Sequence, residues 1–155
     1  MIYVLYGQPG SGKTTLANCL KEHLVKKIIQ TAVYSPKIPV IVDGDEFRKI
    51  FTNTDYSKKG REDNIRAANA VATYISKADS KDVIMSLVNP YCNLRQELAD
   101  AAPAIQILLE TNRDLRKEYH VEDFERGSPD ITINTNDSTE EAFNSLLLKL
   151  SNYIE

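Results

Sequence analysis

The sequence predicts an α/β protein in which a parallel sheet is covered by helices on both faces, a three-layer arrangement. Short apolar runs alternate along the chain with longer stretches of helical period, as in strand–helix–strand units. A glycine-rich turn follows the first apolar run and leads directly into an amphipathic helix, a combination typical of phosphate-binding proteins. The 155 residues contain no linker, repeat or low-complexity tract, so one domain spanning residues 1–155 is expected.

Five apolar runs predict the strands. Each run is short and flanked by polar or turn-forming residues, which is typical of buried strands in a parallel sheet. The predicted strands are Ile2–Tyr6, Val40–Asp43, Asp82–Val88, Ala104–Glu110 and Asp130–Asn134.

Two helices are predicted in the first half of the chain. The first runs from Thr14 to about Ile28, because apolar residues recur there at i+4 intervals. The second covers Lys58–Lys77 and begins after Ser57, whose hydroxyl suits an N-cap position.

Two further helices are predicted in the second half. The third is expected to begin at Asn89-Pro90, since asparagine caps helices well and proline suits the first helical position. The last opens with Ser138-x-x-Glu141, the pattern of a capping box. Its predicted buried face consists of Phe143, Leu146, Leu147, Leu150 and Ile154.

The longest irregular stretch lies between the fourth and fifth strands, at residues 111–129, and carries both signs of charge. Loops of this size in a compact domain are usually functional, and active-site lids are a common use. We therefore predict a short lid at about residues 111–129, in which Arg113, Arg116 and Lys117 clamp phosphates.

Composition narrows the class of protein and its location. The formal net charge of −3 disfavours a general nucleic-acid surface. The apolar run after Met1 is too short for a signal peptide, and no run approaches the length needed to span a bilayer. Cys19 and Cys92 match no metal-ligand spacing and are expected to be free thiols. A cytoplasmic protein without nucleic-acid or membrane partners is the resulting expectation.

The turn after the first strand matches the P-loop pattern, a glycine followed by four residues and Gly-Lys-Thr. Glycines let successive backbone N–H groups point at a triphosphate, and the following helix adds the positive end of its dipole. Lys13 would contact the β and γ phosphates, and the Thr14 hydroxyl would ligate Mg²⁺. The residues predicted to bind ATP are Gly7, Pro9, Gly10, Ser11, Gly12, Lys13, Thr14 and Thr15, with Arg113 and Arg116 from the lid.

Acidic residues follow the second predicted strand and not the third. Asp43-Gly44-Asp45 comes after Val40-Ile41-Val42, whereas the strand 82–88 ends in Asn89-Pro90. Because the carboxyl ends of parallel strands face the ligand crevice, both carboxylates should look toward the phosphates. They could hold Mg²⁺, directly or through water, and one could deprotonate an acceptor hydroxyl.

Three segments resemble the adenylyl-sulfate kinase family. Residues 42–48 contain Asp-Gly-Asp-x-x-Arg, and residues 56–66 are similar to the family's Phe-Ser-x-x-Asp-Arg-x-Glu-Asn-Ile-Arg segment. Residues 88–95 resemble its Ile-Ser-Pro-Tyr-Arg-x-x-Arg segment. With the P-loop, the matches span roughly the first hundred residues in the right order. The resemblance implies a P-loop kinase with strand order 2-3-1-4-5, ATP and Mg²⁺ as cofactors, and a part in sulfate assimilation. The implied reaction is phosphoryl transfer to the 3′-hydroxyl of adenylyl sulfate.

The resemblance also implies roles for individual residues. Asp45 would be the catalytic or magnesium-organising carboxylate beside Lys13, and Asp43 would support it in the metal and acceptor sites. The small anionic acceptor would be held by Arg48, Tyr56, Arg61, Asn64, Asn89 and Pro90. Tyr56 would replace the family's phenylalanine as the stacking face, and a homodimer remains an option.

This chain departs from the family pattern at three places. Asn89 stands where many members have a serine that can be phosphorylated, although it is still expected to cap the third helix. Cys92 replaces the arginine that follows Pro-Tyr, and the lid is shorter than usual. Tyr119 or Phe124 would have to supply the second aromatic face. The acceptor could therefore also be another nucleotide-like or sugar hydroxyl, and a non-catalytic nucleotide-gated binding module is the third option.

Overall fold

Five parallel strands form one sheet in the computed structural model of this protein, which describes residues 1–31, 37–113 and 116–154. The strands are β1 (Ile2–Tyr6), β2 (Val40–Asp43), β3 (Val83–Ser86), β4 (Ala104–Glu110) and β5 (Ile131–Asn134). Their order is β2-β3-β1-β4-β5, and every neighbouring pair is parallel. The predicted fold class and strand order are confirmed.

Helices lie on both faces of this sheet. They are α1 (Lys13–Gln30), α2 (Gly44–Ile50), α3 (Lys58–Ala78), α4 (Cys92–Ala101) and α5 (Thr139–Leu150). The side chains of the central strand β1 alternate between the two faces. Tyr3 and Leu5 belong to the core under α1 and α5, whereas Ile2 and Val4 belong to the core under α3 and α4. The sheet is therefore buried on both sides, which explains why its strands are continuous apolar runs.

Local capping signals place two helices correctly. Ser57 accepts a hydrogen bond from the Gly60 backbone N–H at the start of α3, and Ser138 accepts one from Glu141 at the start of α5. On α5, Leu146 and Leu150 are fully buried, while Phe143 and Ile154 pack partly buried against the same core. Leu147 is half-buried as well.

The predicted start of the third helix is wrong. Helix α4 begins at Cys92, and its N-cap residue Tyr91 makes no side-chain capping bond. Asn89 does not cap this helix, because its backbone lies in the left-handed region (φ 48°). The orphan N–H of Cys92 is instead bound by the Glu125 carboxylate at 2.9 Å, from 33 residues away. A tertiary contact thus replaces the local cap.

Helix α2 was not predicted, because Asp43-Gly44-Asp45 was considered only for its carboxylates at the end of the second strand. Asp43 is its N-cap, and its Oδ2 accepts hydrogen bonds from the N–H groups of Asp45 and Glu46. The acidic residues of the first turn complement the helix dipole. An acid three positions after an acidic cap was the available signal.

Three further expectations concern the lid, the two cysteines and membrane-spanning segments. Between β4 and β5 the described residues are irregular apart from a short 3₁₀ turn at Lys117–Tyr119. Positions 114 and 115 of the predicted lid lie outside the described residues. Cys19 and Cys92 are free thiols. Within the described residues, no helix is both long and apolar enough to cross a membrane.

Candidate active site

The loop between β1 and α1 is shaped by two glycines. At Gly7 a Cβ atom would lie 2.5 Å from the backbone oxygen of Leu109, so no side chain fits there. Gly12 has φ of +91° and precedes Lys13, the first residue of α1. Only glycine adopts such a backbone without strain. The loop therefore wraps closely around the helix N-terminus, where backbone N–H groups favour an anion.

Lys13 is folded back onto this loop. Its Nζ donates hydrogen bonds to the backbone oxygens of Gly7 and Gln8, both at 2.9 Å, and to the Ser11 hydroxyl at 3.3 Å. Burial lowers the pKa of Lys13 to about 8, although Asp45 and Asp43 favour its charged form. A buried ammonium held by neutral groups is poorly compensated. A phosphate in the loop would supply the missing negative charge.

We expect the affinity for magnesium-free ADP to fall above about pH 8. Free Lys13 loses its proton near that pH, whereas phosphate oxygens favour the charged form and raise its pKa in the complex. Below pH 8 the lysine is charged in both states and affinity stays constant. Above it, binding takes up a proton, and affinity falls by up to about tenfold per pH unit.

Calorimetric titration at several pH values in buffers of different ionisation enthalpy measures both the affinity and the proton uptake. The Lys13→Arg variant is the control, because arginine stays charged throughout this range. A constant affinity of the unaltered protein from pH 7 to pH 9.5, without proton uptake, would contradict the prediction.

A second group of polar side chains lies where β2 and β3 end. Asp43 and Ser86 are paired residues at the carboxyl ends of these strands. Thr14 donates a hydrogen bond to Asp43 Oδ1 at 3.1 Å, and its hydroxyl lies 3.4 Å from that of Ser86. Ser86, which is buried, was not predicted as a site residue, because the predicted third strand ended at Val88 and only acids were considered at its end, whereas β3 ends at Ser86. The rule that strand ends face the ligand applies to Ser86 only once the observed end of β3 is known.

These oxygen atoms fit a magnesium ion that is bound together with a nucleotide. Mg²⁺ prefers oxygen ligands, and Thr14, Asp43 and Asp45 supply a hydroxyl and two carboxylates on the same crevice. Among the described residues, no group of three or more His, Cys, Asp or Glu side chains could hold a metal ion by itself. Phosphate oxygens and water would therefore complete the coordination.

Arg48 supports the loop that carries Tyr56. Its Nη1 donates hydrogen bonds to the backbone and side-chain oxygens of Asn53 and to the backbone oxygen of Asp55. Its guanidinium lies 4.2 Å from the centre of the Tyr56 ring, a cation–π contact. Tyr56 nevertheless remains 65% exposed. Arg48 therefore holds Tyr56 at the crevice, where its ring is available for stacking.

The amide side chains of Asn64 and Asn89 lie deep beside the crevice, only 6% and 1% exposed. The Oδ1 of Asn64 and both side-chain polar atoms of Asn89 have no hydrogen-bond partner among the described residues. Buried polar groups are normally paired. A bound ligand or a water molecule would supply the missing hydrogen bonds.

Arg95 is a further residue that the sequence analysis did not single out. Its side chain is 1% exposed, and it donates a hydrogen bond to the backbone oxygen of Asn89 at 2.5 Å. Its guanidinium lies 4.1 Å from the centre of the Tyr6 ring. Arg95 thus holds the turn at Asn89, which precedes α4, in place. Arg95 ends the family-like segment 88–95, but the sequence does not show its partners, which are backbone oxygens, the Cys92 sulfur and an aromatic face.

The lid contributes charge and one aromatic ring to the crevice. Arg113, Arg116 and Tyr119 line it, and the Arg116 guanidinium lies 5.7 Å from the centre of the Tyr119 ring. Phe124 instead stacks on Tyr6, with ring centres 6.2 Å apart. Of the two aromatic candidates in the lid, Tyr119 is therefore the one at the crevice.

Most of these groups line one crevice of about 970 Å³. This volume is at the upper end for ligand pockets, roughly 300–1,000 Å³, and leaves room for a nucleotide and a second small molecule. The predicted site residues that line it are Pro9, Gly10, Gly12, Lys13, Thr14, Thr15, Asp43, Asp45, Arg48, Tyr56, Arg61, Asn64, Asn89, Pro90, Arg113 and Arg116. Gly7 and Ser11 are buried within the loop and do not line it.

The chain is similar to one sequence family and to several solved structures. The sequence model of the adenylylsulphate kinase family matches residues 1–123 of this chain. No curated protein sequence is significantly similar to it. The structure of the Mycobacterium tuberculosis APS kinase in complex with AMPPNP and APS has a TM-score of 0.76 at 20% identity, covering 97% of this chain and 96% of that chain.

Two other solved structures share the fold. The hexameric APS kinase from Thiobacillus denitrificans has a TM-score of 0.72 at 23% identity, covering 98% of this chain and 29% of that chain. A gluconokinase from Sinorhizobium meliloti 1021 has a TM-score of 0.67 at 15% identity, covering 97% of this chain and 91% of that chain. The fold is therefore that of P-loop kinases with more than one kind of acceptor.

Proposed function

From the premise that this chain belongs to the adenylylsulphate kinase family, we propose that it transfers the terminal phosphoryl group of ATP to the 3′-hydroxyl of adenylyl sulfate. One observation carries the proposal: the phosphate loop with Lys13 and the residues Tyr56, Arg61 and Asn64 line the same crevice. A donor site and an anion-binding acceptor site are thus adjacent. The M. tuberculosis relative, whose complex contains AMPPNP and APS, supports this pair of ligands.

The residues of this chain divide the work of the reaction. The loop N–H groups and Lys13 bind the β and γ phosphates of ATP, and Arg113 and Arg116 neutralise them from the lid. Thr14, Asp43 and Asp45 would hold Mg²⁺, which when bound offsets the phosphate charge. The oxygen of the acceptor hydroxyl bonds to the γ-phosphorus, and Asp45 accepts the proton that this hydroxyl loses. The bond from the γ-phosphorus to the bridging oxygen breaks, and ADP leaves with that oxygen.

The acceptor side selects for an anion next to an aromatic base. Arg61 offers a guanidinium that matches a phosphate or sulfate group, and Tyr56 offers a ring for stacking. Asn64 and Asn89 offer buried amides without protein partners. Adenylyl sulfate carries all the features these groups would recognise: a base, ribose hydroxyls and a phosphosulfate.

A second candidate function is phosphorylation of another nucleotide-like or sugar hydroxyl. Two observations favour keeping it: the lid brings only Tyr119 of its two candidate aromatic rings to the crevice, and a gluconokinase shares the fold. A coupled assay of ADP release with adenylyl sulfate, gluconate and nucleosides as acceptors separates the two. We expect turnover with adenylyl sulfate. Turnover with another acceptor alone would reject the specific proposal, and no ATP consumption with any acceptor would favour the binding module.

The Arg61→Ala variant is expected to raise the Michaelis constant for adenylyl sulfate by roughly 10- to 100-fold, since a charge-assisted hydrogen bond contributes about 1.5–3 kcal/mol. The affinity for ATP should hardly change, because Arg61 lies on α3 and not on the phosphate loop. Tyr56→Ala should act in the same direction but more weakly, by about fivefold for one lost stacking contact.

Steady-state kinetics with each substrate varied separately measures both effects. Arg66→Ala is the matched control, because Arg66 lies on the same helix, pairs with Glu62 and Glu97, and does not line the crevice. An unchanged acceptor constant in Arg61→Ala would remove this residue from the acceptor site.

A further inference from the structure

The segment 120–126, called the rim segment below, is attached to the phosphate loop at its first end. Val121 is buried, and its backbone N–H and C=O form a reciprocal pair of hydrogen bonds with the Gln8 side chain, at 2.9 and 2.8 Å. The ring of His120 donates to the backbone oxygen of Pro9 at 3.1 Å. This end is therefore held against the phosphate loop by hydrogen bonds.

The other end of the rim segment is attached to the sheet and to α4. The Glu125 backbone N–H donates to the oxygen of Pro90 at 2.8 Å, and Arg95 donates to the oxygen of Glu125 at 2.6 Å. The Tyr6 hydroxyl donates to the oxygen of Arg126 at 2.7 Å. With both ends tied to the core, the rim segment is a fixed part of the crevice edge.

Asp123 projects from the middle of the rim segment toward α3. Its Oδ1 lies 3.7 Å from Nη1 of Arg61, and the two side chains are 52% and 28% exposed. The distance corresponds to an ion pair without a tight hydrogen bond. Arg61 lines the crevice, whereas Asp123 does not. The carboxylate thus pairs with Arg61 without itself lining the crevice.

We propose that Asp123 is a positioning residue that holds Arg61 in the orientation required to bind the anionic group of the acceptor. A free arginine side chain samples many rotamers, and that freedom is lost when it binds an anion. A carboxylate on a fixed segment restricts the side chain beforehand, which raises affinity for the ligand. This inference rests on the proposed function, because it takes this part of the crevice to be the acceptor site.

The kinetic test compares Asp123→Asn with the unaltered protein. The Michaelis constant for adenylyl sulfate should rise by about two- to fivefold, the scale of an exposed ion pair, while the turnover number and the ATP constant stay the same. Asp123→Glu should restore part of the effect. In an Arg61→Ala background, Asp123→Asn should have no further effect, since the side chain it positions is gone. Glu122→Gln is the matched control, because it removes the neighbouring exposed carboxylate.

A second measurement follows Arg61 itself, without any acceptor. The Nε–H signal of Arg61 in a ¹⁵N spectrum is identified by its loss in Arg61→Ala, and its heteronuclear NOE reports side-chain order. We expect this NOE to fall in Asp123→Asn and to stay unchanged in Glu122→Gln.

The two measurements separate the failure of the inference from that of the proposed function. An unchanged Arg61 NOE in Asp123→Asn overturns the inference, whatever the acceptor is. A Michaelis constant for the acceptor that stays the same in Asp123→Asn overturns the inference as well, because Asp123 then has no influence on binding. A decrease also overturns it, because the carboxylate would then compete with the acceptor for Arg61. If the unaltered protein does not bind adenylyl sulfate, the proposed function fails, and the NOE still decides whether Asp123 holds Arg61.

Discussion

Replacing Lys13 by alanine is expected to lower the turnover number by roughly a hundred- to a thousandfold, the loss measured when one preorganised donor is removed from a transition state. The ammonium is the group of the phosphate loop that carries a full positive charge, and charge on the transferred phosphoryl group must be neutralised as its bond to ADP breaks. No other lysine lines the crevice among the described residues.

The fold should survive this substitution. Burial lowers the pKa of Lys13, so the charged side chain does not stabilise the empty protein, and its hydrogen bonds remain within its own loop. Circular dichroism and thermal unfolding check this point, and the coupled kinase assay measures turnover. Lys26→Ala, an exposed lysine on the same helix, is the control. Near-normal turnover of Lys13→Ala would exclude this residue from the mechanism.

The second large effect is expected for Asp45→Asn, which should lower the turnover number by roughly a hundred- to ten-thousandfold, as for the loss of a general base. The amide keeps the shape of the side chain but neither takes up the proton of the acceptor hydroxyl nor holds the metal with a negative charge. Asp45 is exposed at the crevice and lies close enough to Lys13 to favour its charged form.

ATP affinity should change far less than turnover, which is the pattern of an interaction made mainly in the transition state. Glu46→Gln is a close control: Glu46 is the next residue, its N–H also donates to Asp43, and it does not line the crevice. Equilibrium binding of ATP and saturating turnover are the two measurements. A fall in ATP affinity with normal turnover would make Asp45 a binding residue only.

Both residues line the crevice as predicted from the sequence, and the reason is that their signals are local. The phosphate loop depends on glycines, which adopt its backbone conformations without strain whatever their neighbours are. Asp45 was located by the general rule that the carboxyl end of a parallel strand faces the ligand. The same rule did not reach Ser86, because the predicted third strand ended two residues later, at Val88, than β3 does.

For other residues that line the crevice, the sequence predicted the position but not the contacts between side chains. Arg48 and Tyr56 line the crevice as the sequence analysis expected, yet their mutual cation–π contact depends on how the loop at Asn53 and Asp55 folds back on Arg48. Arg61 was expected at the crevice, but its partner Asp123 is 62 positions further along the chain. Spacing in the sequence carries no information about such pairs.

The sequence by itself determined what depends on neighbours within one or two turns of chain. The alternation of apolar runs defined the strands and their burial, and Ser57 and Ser138 defined two helix starts because a cap bonds an N–H only three residues away. The tertiary structure decided what depends on distant partners. Helix α4 begins at Cys92 because Glu125 binds its free N–H, and Arg95 is buried because Tyr6 and three backbone oxygens receive it. Asp123 reaches Arg61 only because the rim segment is tied to the phosphate loop and to Pro90. Each of these contacts stabilises its group only after the sheet has brought remote segments together, so no local pattern could have specified it.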